Sequence, residues 1–187
     1  MSNPADLGWG KLIRVKSDWI EDKLLKHGSH FKDKITTRTY SIRFASTHEN
    51  MDNLITFMVN SIEHYVLSDD EIKNCSDRDI AAWWEASKYF GAVDPSTDGK
   101  SGELLLYLLV EKVLETPMIA HKIKSVSDAF NDQVKGSDGV FFGLYKDNYS
   151  LLFGESKIYK NLNDGTNEAL ESMTPQKAGQ KQKTSYS

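Results

Sequence analysis

Between Glu103 and Glu111 the chain carries seven consecutive apolar residues, Leu104-Leu-Leu-Tyr-Leu-Leu-Val110. A helix that is apolar on every side is buried nearly all round. The segment Ser101–Glu115 therefore reads as the central helix of a packed domain, ended by Pro117. No apolar run is long enough to cross a bilayer. At 187 residues, with 39% hydrophobic and 27% charged, the chain can bury a core and is too apolar for a disordered polymer. A single cysteine, Cys75, excludes an internal disulfide and a multi-cysteine zinc site. It favours a reducing, cytoplasmic home, and the start Met1–Trp9 lacks the pattern of a signal peptide.

Around that helix the patterning points to an α/β (α+β) fold. Residues 1–34 show no clear period. Thr36–Ala45 is β-branched and aromatic and reads as a strand. Met51–Val66 sets Leu54, Phe57, Met58, Ile62 and Tyr65 at helical spacing. Ser76-Asp-Arg-Asp79 looks like a cap to a helix over Ile80–Phe90. Gly91–Gly99 is full of turn formers and reads as a linker. Beyond the central helix, Met118–Val126 is a candidate strand and Asp128–Lys135 is polar. Gly139–Tyr145 and Tyr149–Tyr159 form a hairpin about Lys146-Asp-Asn148. Asn163–Ser172 reads as a closing helix. The expected order from residue 101 is α-β-β-β-α, with an N-terminal partner-docking region over 1–92, a core over 93–172 and a disordered tail over 173–187.

Net charge is −4, and residues 1–99, with 12 Lys+Arg against 16 Asp+Glu, hold the whole excess. Such a total argues against unaided wrapping of nucleic acid. It leaves room for a site that meets a phosphate through a few lysines and a metal.

Three carboxylates and a lysine make that site. Glu103 is the last charge before the apolar run and shares a helix face with Leu106, Tyr107 and Val110. Asp138 precedes the first hairpin strand. Glu155 and Lys157 follow Leu151-Leu-Phe153, which reads as a central strand covered on both faces, and being two apart they share a face. A turn centred between Lys146 and Asp147 sets Asp138 opposite Glu155, whereas a one-residue slip would set it opposite Ser156. Paired carboxylates on neighbouring strands suit a hard divalent cation, Mg2+ or Mn2+, with Asp138, Glu155 and Glu103 as candidate ligands. A lysine beside them can offset charge on a phosphate undergoing attack.

Asp138, then Glu155-Ser-Lys157 in strand context after a helical Glu103, resembles the PD-(D/E)xK nuclease core. Ser101-Gly-Glu-Leu-Leu-Leu-Tyr-Leu-Leu-Val-Glu111, Ser137-Asp-Gly-Val140 and Phe153-Gly-Glu-Ser-Lys157 are similar to the HamA family, the nuclease component of Hachiman anti-phage defence. The resemblance implies a metal-dependent DNA endonuclease, a phosphodiester hydrolase restrained by a HamB-type helicase, with Glu103, Asp138, Glu155 and Lys157 as its catalytic set. Lys124 and Lys135 are additional candidates for phosphate contact. After Ser172 the sequence departs from the resemblance, because PD-(D/E)xK cores usually continue into another strand. A catalytically weak or inactive interaction subunit and a metal-dependent RNase are the alternatives.

Each feature has a plainer reading. Glu155 and Lys157 could be a surface ion pair, Asp138 a turn residue, and Glu103 a helix-start charge that suits the macrodipole. His27 and His30 read as solvent-facing loop residues without a third ligand. Of Trp83 and Trp84, one is expected in the core. Cys75 reads as a small packing residue, and Lys177, Lys181 and Lys183 as part of a solvated tail.

Overall fold

The computed structural model describes residues 11–15, 18–42, 47–90, 99–121, 137–145 and 148–173. Eleven elements follow in chain order: α1 (Trp19–Lys23), β1 (Leu24–Lys32), β2 (Ile35–Ile42), α2 (Thr47–Val66), α3 (Asp69–Asp77), α4 (Ala82–Phe90), α5 (Lys100–Leu114), β3 (Met118–His121), β4 (Gly139–Tyr145), β5 (Asn148–Gly154) and the helix Leu162–Met173, here α6. Among the described residues the order α5-β3-β4-β5-α6 is the one the patterning predicts. The strands make two antiparallel sheets, β1-β2 and β3-β4-β5.

The apolar run forms the helix expected of it. Leu104, Tyr107 and Leu108 on α5 are at most 3% exposed. The helix ends at Glu115, which takes a left-handed φ of 51° two residues before Pro117. One core gathers Val15, Trp19, Ile20 and Leu24 with Leu54, Tyr65 and Phe90, and joins them to Leu104, Leu108 and Phe141. Within it Trp19 stacks on Phe57 at 5.2 Å between ring centroids, and Tyr65 meets Tyr107 at 5.3 Å.

A buried carboxylate ties the N-terminal segment to α5. Glu111, 1% exposed, accepts the backbone N–H of Arg14 at 2.8 Å and of Val15 at 3.1 Å on one oxygen. Its other oxygen accepts Met118 N–H at 3.2 Å. The Arg14 guanidinium in turn donates to the carbonyls of His64 and Leu67 and pairs with Asp69. Burial pushes the Glu111 carboxyl above its ordinary range, and the three donated N–H groups oppose that rise.

Several elements depart from expectation. The strand expected at Thr36–Ala45 is β2 (Ile35–Ile42), residues 43–45 lying outside the described residues, and its partner β1 lies in the region without a clear period. Hence His27 and His30 sit on an exposed strand rather than a loop, and His27 Nε2 lies 2.7 Å from Ser41 Oγ. Helix α3 is polar apart from Ile72 and Cys75, so its period is faint. Its start is nevertheless a capping box, with Glu71 N–H donating to Ser68 Oγ and Ser68 N–H donating to the Glu71 carboxylate. Ser76–Asp79 therefore closes α3 instead of opening α4, and Asp79 turns the chain with a φ of 56°.

Neither tryptophan of α4 is core: Trp83 is 49% and Trp84 56% exposed. The inward stripe of that helix is Ala82, Ala86 and Phe90, which leaves both indoles off the buried face. The strand expected over Tyr149–Tyr159 ends at Gly154, and it is not covered on both faces. Leu152 and Gly154 turn toward the core and α5, while Leu151 and Phe153 alternate onto the other face, each about half-exposed. Of Met118–Val126, residues 118–121 are strand and the remainder lies outside the described residues, as do 91–98 of the linker, Asp128–Lys135, Lys146 and Asp147, and the tail from 174.

Candidate active site at the mouth of the hairpin

The β4–β5 ladder keeps the register expected from a two-residue turn, running from Tyr145 against Asn148 to Gly139 against Gly154. Asp138 and Glu155 are the next positions out on the two strands. Asp138 N–H still donates to the Gly154 carbonyl at 2.8 Å. Ser137 Oγ donates to Gly139 O at 2.8 Å and lies 3.1 Å from Gly154 O, so the mouth is laced on both sides. The Asp138 side chain is buried, and its Oδ2 accepts the N–H of Ser156 at 2.8 Å. Strand pairing thus gives way to a side-chain bond just where the two functional residues of β5's extension begin.

Glu155 and Lys157 face one another. Lys157 Nζ lies 2.9 Å from Glu155 Oε1, with side chains 27% and 5% exposed. The second oxygen, Glu155 Oε2, is buried with no hydrogen-bond partner among the described residues. A buried carboxylate oxygen left without a donor is costly. Hydrogen bonding to Glu155 raises the Lys157 ammonium above its ordinary value, against the effect of burial, and the charges of Glu155, Asp138 and Glu168 add to the rise. Lys157 is accordingly a permanent cation and cannot serve as a base near neutral pH.

Glu103 stands on the first turn of α5. Its N–H donates to Gly99 O, and its carboxylate lies 3.5 Å from the Tyr65 hydroxyl. Burial raises the Tyr65 phenol well above its usual range, helped by the charges of Glu103 and Asp138. Tyr65 thus meets Glu103 as a protonated donor. The sequence reading placed it only on an apolar helix face, and its hydroxyl was the one signal available there.

Gly102 lets the two halves of the site approach. A Cβ at this position would meet Ser156 Oγ at 2.5 Å and the Ile158 side chain at 3.1 and 3.2 Å. The helix that carries Glu103 therefore rests directly on the segment that carries Glu155 and Lys157. Beside that segment a groove of about 360 Å³ is lined by Glu155, Lys157, Tyr159, Leu162, Gly165 and Leu170. It gives the Glu155–Lys157 pair an open side facing α6.

The four residues are not gathered equally. Glu155 and Lys157 are in contact, Asp138 is held one residue away through Ser156, and Glu103 meets the Tyr65 hydroxyl. Among the described residues no group of three or more His, Cys, Asp or Glu side chains is close enough to hold a metal ion. The donor chemistry fits a divalent cation through the Glu155 oxygen that has no partner among the described residues, with Asp138 as its neighbour. Lys124 and Lys135 lie outside the described residues. No described helix is long and apolar enough to cross a membrane.

The HamA family model matches residues 14–186, a span that includes every residue of this site. No curated protein and no solved structure matches the chain.

Proposed function

Because the chain belongs to the HamA family, whose members are components of Hachiman anti-phage defence, we propose that it is a metal-dependent DNA endonuclease, restrained and released by a HamB-type helicase. One observation carries the reading. Among the described residues a buried Glu155 oxygen has no donor, while its twin is paired with the Lys157 ammonium beside Asp138.

Asp138 and Glu155 would hold Mg2+ or Mn2+, which supplies a Lewis acid for a phosphate oxygen and a bound water of lowered pKa. The protein's own groups do the remaining work. The Lys157 ammonium, open to the groove, meets a non-bridging phosphate oxygen and offsets the charge that grows there during attack. Glu155 keeps that ammonium oriented until substrate arrives. The Ser156 N–H holds the Asp138 carboxylate in place, and the protonated Tyr65 hydroxyl steadies Glu103 at the edge of the site.

The test is cleavage of plasmid DNA with magnesium, by the chain alone and with its helicase and ATP. Glu155→Ala and Lys157→Ala are expected to abolish nicking while the proteins stay folded. Nicking by both variants at the parent's rate overturns the assignment. Among the described residues no three acids gather closely enough to hold a metal ion, which favours a second reading, an interaction subunit that binds metal without turnover. Metal binding by calorimetry without cleavage in any mixture supports that alternative. A parallel digest of RNA separates either from an RNase.

A further inference from the structure

The acidic excess of the N-terminal half is unevenly placed. Residues 47–90, which hold α2, α3 and α4, carry nine acids and three bases. The β1–β2 hairpin over 24–42 carries four bases, Lys26, Lys32, Lys34 and Arg38, against the single acid Asp33, and adds His27 and His30. Among the described residues its sheet has two strands. At about 3.4 Å per residue, nine residues extend roughly 30 Å. The ribbon is exposed along most of its length, and Phe31 and Ile35 near its tip are each 65% exposed. Asp33 and Lys34 turn the chain with φ of 50° and 70°, the tight geometry of a two-residue hairpin, which points Lys32 and Lys34 outward at the end.

These cations are largely unspent inside the protein. Lys32 reaches Asp33 only at 4.0 Å. Lys26, Lys34 and Arg38 make no ion pair among the described residues. A chain with net negative charge gains nothing in solubility from collecting bare cations on one projecting element. Such a ribbon suits a regular polyanion, and a two-stranded ribbon has the dimensions that the major groove of B-DNA, about 12 Å wide, admits. Serine and threonine at Ser29, Thr36, Thr37 and Thr39 add hydroxyls of the kind that donate to phosphate.

We infer that the β1–β2 ribbon is a DNA-gripping arm that contacts the duplex backbone through Lys26, Lys32, Lys34 and Arg38. The inference rests on the nuclease reading for its choice of polyanion, and it identifies a contact separate from the hairpin-mouth site.

The test is binding of the full chain to a 30-base-pair duplex, followed by fluorescence anisotropy in EDTA across a salt series, so that cleavage plays no part. The double variant Lys32→Gln/Lys34→Gln is expected to weaken binding about tenfold or more and to lower the log–log salt slope by about 2, and Arg38→Gln by about 1. Lys73→Gln on α3 should leave both unchanged. Parent-like affinity and slope in the hairpin variants, no duplex binding by the parent, or tighter binding of single-stranded RNA than of duplex would each overturn the inference. A parent that binds through the ribbon but never cleaves sinks the nuclease reading and leaves the arm standing. A parent that cleaves while the ribbon variants bind normally does the reverse.

Discussion

The carboxylate of Asp138 accepts the backbone N–H of Ser156 at 2.8 Å, and so anchors the one residue that separates Glu155 from Lys157. The aspartate that borders the site is also the clamp that sets its far side. Charge and anchoring can be separated by substitution. Asp138→Asn keeps an oxygen acceptor and is expected to unfold within about 0.5 kcal/mol of the parent. Asp138→Ala leaves the Ser156 N–H without its acceptor and is expected to lose about 1–2 kcal/mol. Urea titration reads the stabilities. Both variants should lose metal-dependent cleavage, since both lose the charge.

Gly102 gives a test of approach between helix and strand. A methyl group there faces Ser156 Oγ at 2.5 Å and Ile158 at 3.1 Å. Overpacking costs about 1–3 kcal/mol, against about 1 kcal/mol that alanine gains over glycine in a helix. Gly102→Ala is expected to be net destabilising and to lower cleavage by displacing Glu155 and Lys157. Adding Ser156→Gly should restore part of both, as read by thermal unfolding and nicking rate.

Glu111 should govern stability without touching chemistry. Glu111→Ala strands three backbone N–H groups that are now accepted, at an expected cost of about 3 kcal/mol. Its folded pKa is raised above the unfolded value. Its contribution is therefore complete below the ordinary glutamate range and is lost as pH rises through the raised value. Unfolding free energies measured across that window should fall with rising pH in the parent, and the Glu111→Gln variant should show less of that slope.

Tyr65→Phe removes only the hydroxyl that lies 3.5 Å from Glu103. The ring packing against Tyr107 and Phe90 remains. The expected result is a folded protein whose cleavage falls up to about tenfold, the equivalent of roughly one hydrogen bond. An undiminished rate would show that Glu103 needs no partner.

At the surface, Lys112 holds the Asp18 carboxyl below its ordinary value, while the same contact raises Lys112. The Asp18 share of stability is present above the unfolded carboxylate pKa and disappears as pH falls through the lowered one. The Lys112 share is present below the ordinary lysine range and is lost in strong alkali. Comparing the parent with Asp18→Asn in acid should reveal a small loss confined to the parent, and high salt should shrink it.

The sequence made the second half of the fold readable because its signals are local and strong. Seven apolar residues in a row name α5, and of the two hairpin registers the sequence allows, the structure has the one that sets Asp138 opposite Glu155. Strand β1 stayed hidden because Leu24–Lys32 mixes lysine, histidine and glycine with no inward face to alternate against. Helix α3 was masked by polarity, although Ser68 and Glu71 spelled its capping box. Tyr65 and Glu111 were out of reach for another reason. Their roles depend on partners that lie tens of residues away in the chain, and no local period reports such a meeting.

Arg14 and Glu111 carry one last consequence. The carboxylate at the end of α5 is satisfied largely by backbone from the first turns of the chain, and Tyr107 leans on Tyr65 beside it. The half that carries the candidate site is therefore no portable cassette. Cut free after the linker, it would keep every candidate catalytic side chain yet inherit a raw hydrophobic wound and a charge with too few donors, and it should reach the test tube as an aggregate.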